Sequence, residues 1–237
     1  MKADVEEAAA LEKTKKEQRA ATANERIWRE VVSWFWVIVA FLIIEGMLVQ
    51  ARVIPSGSME RTVLIGDHLI VSRIGYDAGI PFTPWHVPLW RAPKRQQIIV
   101  FRAPLPEQGY PDFIKRVIGL PGDTLDIRQG VVFINGKPLD EPYRNEPPNP
   151  TENRGPWKIP PGQYFMMGDN RENSYDSRYW GFVPRENIIG TPLLIYMSIN
   201  APEEVWEPGH IGERLGTYLA ALIHPGEVRW RRLFHIF

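Results

Sequence analysis

The sequence contains no cysteine. That absence excludes disulfides, thiolate metal sites and a cysteine nucleophile, and it fits any compartment without favouring one. An excess of charge of one sign is also missing, since 28 Lys and Arg balance 28 Asp and Glu. Without a net charge the chain has no bulk attraction for a phosphate backbone, so nucleic acid is not an expected partner. There is no internal repeat and no low-complexity block. Long apolar runs are scarce, and one alone, Val31 to Val49, approaches the roughly 20 residues that span a hydrocarbon core. Glycine and proline, by contrast, are abundant at 19 and 22 residues and fall mostly after that run. They suggest many short strands and turns, not a helical bundle. The residues beyond the run suffice for one domain with its own core.

The apolar run carries one charge, Glu45, near its outer end, and Trp28, Trp34 and Trp36 sit at its N-terminal end, where indoles favour an interface. Lys2, Lys13, Lys15, Lys16, Arg19, Arg26 and Arg29 precede it, whereas Arg52 and Arg61 are the cations close behind. By the Lys/Arg bias the N-terminus is expected in the cytoplasm and the large domain outside. A cleaved secretory signal is the competing reading. The run is too long for a signal core, and Gln50-Ala51-Arg52 is a poor cleavage site. The expected organisation is a polar tail over 1–26, a transmembrane helix over 27–51 and an extracytoplasmic β-rich domain over 52–237.

Within that domain, Leu69–Val71, Ile98–Phe101, Phe113–Ile118, Val131–Ile134, Tyr164–Met167 and Leu193–Met197 read as strands. Asn135-Gly136 is a strong hairpin-turn signal. Two stretches rich in proline, 80–93 and 142–161, read as irregular loops. Residues 211–223 fit a short amphipathic helix. The basic end around Arg229 to Phe234 fits either a lipid-facing segment or a terminal strand.

Three segments carry chemistry. The first, Ile54-Pro55-Ser56-Gly57-Ser58-Met59, follows the apolar run almost at once. A serine hydroxyl needs a base to be a nucleophile. The usual base is histidine, but His68, His86, His210, His224 and His235 lie in no context resembling a triad. The second segment, Phe113-Ile114-Lys115-Arg116-Val117-Ile118-Gly119-Leu120-Pro121-Gly122-Asp123, supplies another candidate. On a strand Lys115 shares a face with Phe113 and Val117. Apolar burial lowers a lysine pKa and leaves a neutral amine able to take a proton. By periodicity alone a snorkelling or salt-bridged lysine is the commoner outcome. The third segment is a dense polar loop, Gly168-Asp169-Asn170-Arg171-Glu172-Asn173-Ser174-Tyr175-Asp176-Ser177-Arg178, which follows a buried strand and closes on Tyr179-Trp180-Gly181-Phe182.

Together, and in this order after a single span, the three segments resemble bacterial signal peptidase I, the membrane-bound leader peptidase of the Ser-Lys type. The likeness runs from the span to Pro184. It implies an antiparallel β-sheet domain of the type shared with self-cleaving repressors, located on the outer side of the bacterial cytoplasmic membrane. The expected substrates are secreted preproteins, cut after small residues of Ala-x-Ala type. The lipid bilayer is a partner, a monomer is expected, and no metal or cofactor is needed.

The resemblance also assigns roles. Ser58 matches the nucleophile and Lys115 the general base. Ser56, with the Ser58 amide, matches the oxyanion hole, and Ser174 matches the residue that bonds and aims the lysine amine. Ile54, Ile114 and Met59 match substrate-contacting positions. Asp169, Asp176, Arg178 and Arg116 match supporting groups. This chain departs from the pattern in having Glu60-Arg61 after the nucleophile, where a proline is common and whose lack implies a looser turn. It also has Gln96-Gln97 in place of Gly-Asp, and Arg52 where an apolar residue is usual. Residues 201–237 carry no legible role. Two rivals are a soluble Ser-Lys repressor protease, opposed by the span, and a membrane-anchored β module that binds partners without catalysis.

Overall fold

The computed structural model describes residues 25–81, 83–103 and 112–237. The polar tail lies outside these apart from its last two residues. The chain divides into two compact units, Met1–Glu45 and Gly46–Phe237.

The described part of the first unit is helical. Helix α1, Glu25–Leu48, is long and apolar enough to cross a membrane. Its end Ile44–Leu48 loosens into a π-helical turn. The chain then changes to strand at Val49, so residues 49–51, expected inside the span, begin the sheet instead.

The second unit is mainly antiparallel β. Its strands are β1 (Val49–Val53), β2 (Asp67–Ser72), β3 (Asp77–Gly79), β4 (His86–Pro88), β5 (Ile98–Arg102), β6 (Asp112–Gly119) and β7 (Thr124–Arg128). They continue with β8 (Val131–Ile134), β9 (Lys137–Pro138), β10 (Arg154–Lys158), β11 (Gln163–Met167), β12 (Val183–Pro184) and β13 (Ile188–Ser198). Seven form one sheet in the order β1-β2-β13-β5-β6-β11-β12, and four form a second in the order β10-β7-β8-β9. All six strands expected from the apolar runs are present. The two stretches expected to be irregular are partly ordered, because a β3–β4 hairpin enters the first and β10 the second. Neither has a legible apolar alternation, and their pairing is decided by neighbouring strands.

Strand β5 sits centrally between β13 and β6, and its apolar side chains alternate between two cores. Ile98 and Val100 join Ile54, Met59, Leu69 and Ile114, while Ile99 and Phe101 join Val117, Tyr164 and Met166. A sheet buried on both faces explains why Ile98–Phe101 is apolar without interruption. Each such fully buried side chain contributes roughly 1.5–3 kcal/mol. Strand β13 pairs with β5 through its first residues and then with β2, and its register slips at Pro192, which cannot donate to a ladder. The Asn135-Gly136 turn closes the β8–β9 hairpin with both residues at positive φ, as a two-residue hairpin loop requires.

The C-terminal region, unread in the sequence, packs onto this unit. It holds helices α3 (Glu203–Trp206) and α4 (Ile211–Ile223), the last with the expected bounds, whereas the short α2 (Ser177–Trp180) lies earlier, between β11 and β12. After α4 the chain returns to β13: Phe234 N–H donates to the Ile195 carbonyl and Phe237 N–H to that of Leu193. The basic end itself is not a terminal strand: Trp230–Arg232 is a 3-10 turn, Phe234 takes a positive φ of 60°, and isolated β-bridges flank it at Val228 and Ile236. Arg232 forks onto the fully buried Asp67 at 2.6 Å and also bonds the Thr62 carbonyl, while Arg229 bonds the Ile65 carbonyl. These contacts fasten residues 62–67, the link between the Ser58 turn and β2. Arg232→Ala leaves a buried carboxylate short of its main partner and is expected to lower stability by about 2–3 kcal/mol. A urea titration of the intact protein measures this, and a change below 0.5 kcal/mol would show that Arg229, Ser198 and the Leu64 N–H satisfy Asp67 without it.

Candidate active site

Ser58 sits in a 3-10 turn, Gly57–Met59, directly after β1. The turn is not loose, as the missing proline had implied. Glu60 N–H bonds the Gly57 carbonyl, and Thr62 and Val63 N–H both bond that of Met59. Arg61 takes the left-handed conformation, φ 80°, at a cost of about 1–2 kcal/mol, and its guanidinium donates to the Arg144 carbonyl at 2.8 Å. Two hydrogen bonds from Asn170 hold the turn from the polar loop, one from its N–H to Ser58 O and one from its amide to Gly57 O.

Lys115 lies in β6, and its Nζ donates to Ser58 Oγ at 2.6 Å. Both residues are buried, and the ammonium stands 5.6 Å from the centre of the Phe113 ring. Burial is the chief reason that the Lys115 pKa falls to about 8. Asp176 and Asp169 oppose the fall, and Arg178 adds to it.

The polar loop is built around two buried carboxylates. Asp169 accepts a fork from Arg116 at 2.8 and 2.6 Å and a bond from Thr62 Oγ1 at 2.6 Å. Asp176 accepts from the Gly168 N–H, from Ser174 Oγ at 2.7 Å and from Arg178, while capping α2. Burial disfavours the Arg178 charge, but the hydrogen bonds and charge of Asp176, with Glu152, outweigh it and raise its pKa. Gly168 is needed where the loop meets the Ser58 turn: a Cβ there would lie 2.4 Å from both Ser58 O and Ser174 Oγ.

Two expected roles differ from what is seen. Lys115 donates to Ser58, and Ser174 donates to Asp176, so among the described residues Ser174 does not hold the amine directly. Met59 is fully buried among Ile54, Val63 and Leu69, beneath the turn and away from the cleft, because in the 3-10 turn it points into the core. His68, weighed as a possible base, is engaged elsewhere: its ring bonds Gly66 O and Tyr218 Oη, and burial lowers its pKa.

Ser58 and Lys115 open into a cleft of about 210 Å3. Residues 52–56 form one wall and 112–115 the other, with Leu69 and Val100 between them. Ile54, Ile114 and Ser56 all line it, and Ser56 makes no capping bond with its hydroxyl. Both walls present unpaired strand edges. Among the described residues, β1 ends its sheet, and β11 pairs with β6 only from Arg116 onward, leaving 112–115 without a partner strand on that side. Glutamines 96 and 97, the second departure, lie at the turn before β5: Gln96 adopts a positive φ of 66°, and Gln97 bonds Tyr76 Oη at 2.8 Å.

Sequence comparison relates the chain to known proteins. The family model for signal peptidase, peptidase S26, matches residues 27–197. The probable signal peptidase I-2 of Synechocystis sp. is 43% identical over 179 residues, 74% of this chain and 76% of that one. Signal peptidase I of Pseudomonas fluorescens is 35% identical over 211 residues, 72% of each chain. A crystal structure of a signal peptidase I from Enterococcus faecalis is 37% identical, covers 43% of this chain and 97% of its own, and superposes with a TM-score of 0.36. A matched stretch that includes the apolar helix, the Ser58 turn, the lysine strand and the polar loop leaves one assignment, and the chain belongs to the signal peptidase I family of peptidases.

Proposed function

We propose that this protein is a membrane-anchored serine endopeptidase that removes signal peptides from secreted preproteins, with Ser58 as nucleophile and Lys115 as general base. The observation that carries the reading is the 2.6 Å bond from Lys115 Nζ to Ser58 Oγ inside a cleft walled by two unpaired strand edges. An extended cleavage segment adds between such edges as a further strand. Ile54, Leu69, Val100 and Ile114 line the cleft with fixed apolar side chains, and overpacking against them would disfavour large residues beside the cut.

In the neutral state the Lys115 amine takes the Ser58 proton as Oγ attacks the scissile carbonyl. The developing oxyanion rests on the Ser58 N–H and the Ser56 hydroxyl. Each such donor contributes roughly 2.7–4 kcal/mol at the transition state. The protonated lysine returns its proton to the leaving amine as the C–N bond breaks. The neutral amine then deprotonates water, which attacks the acyl-enzyme and releases Ser58. The N-terminus lies in the cytoplasm and the Gly46–Phe237 unit outside, and the protein acts as a monomer on the bilayer.

Cleavage of a preprotein with an Ala-x-Ala site, by the full chain in detergent and lipid, tests the reading. Wild type is expected to cut once, after the second alanine. Ser58→Ala is expected to lose at least about 10³-fold in kcat. Full activity in Ser58→Ala, or no cutting by wild type, would overturn it and favour a non-catalytic binding module.

A further inference from the structure

The cleft has two distinct ends. Four antiparallel pairings separate β1 from β6, so the two strands run in the same direction. Both walls therefore lead from one end, where Arg52 Nη2 meets Asp112 Oδ2 at 2.5 Å, to the other, where Ser58 and Lys115 lie. The apolar lining comes before Ser58 is reached: Leu69 pairs with Arg52, and Val100 pairs with Ile114. Substrate residues upstream of the cut occupy that part, so the residues downstream leave past Ser58.

Asn173 and Tyr175, from the polar loop, complete the lining. A Cβ on Gly57 would lie 3.4 Å from Asn173 Nδ2, which places this part of the loop beside the Ser58 turn and not at the Arg52 end. Tyr175 is 45% exposed. Its ring stacks on that of Tyr179, with centroids 5.3 Å apart and planes inclined by 21°. The Tyr179 ring is held in turn by the Arg154 guanidinium, 4.7 Å from its centre, and by that of Arg178 at 5.7 Å. Arg178 is itself fixed by Asp176 and Glu152. Tyr175 is thus a backed aromatic ledge, and a surface ordered in advance costs little freedom when it is covered.

Strand alternation says which substrate residue meets the ledge. Successive side chains of an extended segment point to opposite faces. The residue before the cut points into the apolar lining, the first after the cut points away, and the second after it faces the protein again. That second side chain stands two residues, about 7 Å, beyond the one that fills the lining. Resting on the peptidase reading above, we propose that Tyr175, backed by Tyr179, is a specificity-determining contact for the second residue of the mature segment, and that it favours an aromatic side chain there. Such a side chain covers the half-exposed ring, whereas alanine leaves it in water.

The experiment uses the full chain in detergent and lipid with three preproteins, identical except just after the cut. One carries Ala at both of the first two positions, one carries Phe at the second, and one carries Phe at the first. Wild type is expected to show about fivefold higher kcat/KM for Phe at the second position than for the Ala substrate, and no such gain for Phe at the first. Tyr175→Ala is expected to bring the ratio of the second-position Phe substrate to the Ala substrate close to one. Tyr175→Phe keeps the ring and is expected to keep the ratio near five. Tyr179→Ala removes the backing and is expected to lower the ratio to about two, a readout that stands even if Tyr175→Ala fails to fold. A loss of activity that falls equally on both substrates would leave the ratio near five in Tyr175→Ala and in Tyr179→Ala. That result would show that the tyrosines only hold the loop, and it would overturn the inference while leaving the peptidase reading intact. So would a wild-type enzyme that does not distinguish the substrates, or one that gains from Phe at the first position instead. Failure of wild type to cut any of them would overturn both.

Discussion

Lys115→Met is expected to abolish cleavage and to make the protein more stable at neutral pH. Both effects have one cause. Burial pushes the Lys115 pKa from 10.5 down to about 8. Below pH 8 the amine is charged in both the folded and unfolded states, and folding then carries the full penalty of burying that charge. Between pH 8 and 10.5 the unfolded chain holds the extra proton, so stability rises with pH across that window. The difference in pKa corresponds to about 3 kcal/mol. Methionine has a similar length and no charge, so it removes the penalty while forfeiting the bond to Ser58. The net gain is expected at about 2–3 kcal/mol at pH 7, or roughly 5–10 °C in Tm, and to vanish above pH 10.5. For wild type the same pKa predicts that kcat/KM rises about tenfold per pH unit up to pH 8 and then levels, since only the neutral amine acts as base. Calorimetry of the variant across pH 6 to 11 and a pH profile of wild-type cleavage check the two halves. An active Lys115→Met would remove the lysine from the mechanism, and an unchanged Tm would show that the buried amine is solvated better than its surroundings indicate.

Asp176→Ala is expected to act in the opposite sense, lowering both stability and activity. The carboxylate is fully buried and accepts from Gly168 N–H, Ser174 Oγ and the Arg178 guanidinium. Without it Arg178, almost completely buried, keeps Glu152 as its remaining carboxylate partner. Breaking a buried pair by removing one side costs about 3–5 kcal/mol, enough to lower Tm by roughly 10 °C. The loop that loosens contains Gly168, packed close against Ser58 O, and Asn170, which bonds the Ser58 turn. The loss of activity in the surviving folded protein is therefore expected mainly in kcat, not KM. Asp176→Asn keeps one acceptor oxygen and is expected to lose about half as much stability. Urea unfolding together with steady-state kinetics separates the effects. A variant of wild-type stability would mean that Glu152 alone satisfies Arg178.

Much of this was legible before any coordinates. The apolar run, the strands with uninterrupted buried residues and the Asn-Gly hairpin carry their signals locally, in composition and period. The three polar segments were conspicuous because each sets residues of unusual chemistry beside an apolar strand. Strands β3, β4, β10 and β12 left no such trace, since they are two to five residues long and half exposed. The left-handed backbone at Arg61 and Gln96 was also hidden, because nothing in either residue type signals it.

The site separates the two kinds of information most sharply. Sequence by itself singled out the candidate side chains, because a serine after a span, a lysine between apolar neighbours and a dense acidic and basic loop are properties of residue type and order. The resemblance to the family, not residue order alone, pointed to Ile54 and Ile114 as cleft residues. Only the tertiary structure decided which of these groups touch. Lys115 donates to Ser58 while Ser174 turns to Asp176, Met59 faces the core, and Arg52 bridges to Asp112 across the cleft. Each of those contacts joins residues on different strands or turns. Their geometry follows from sheet register, twist and the depth of burial, quantities that a local pattern of residues does not encode.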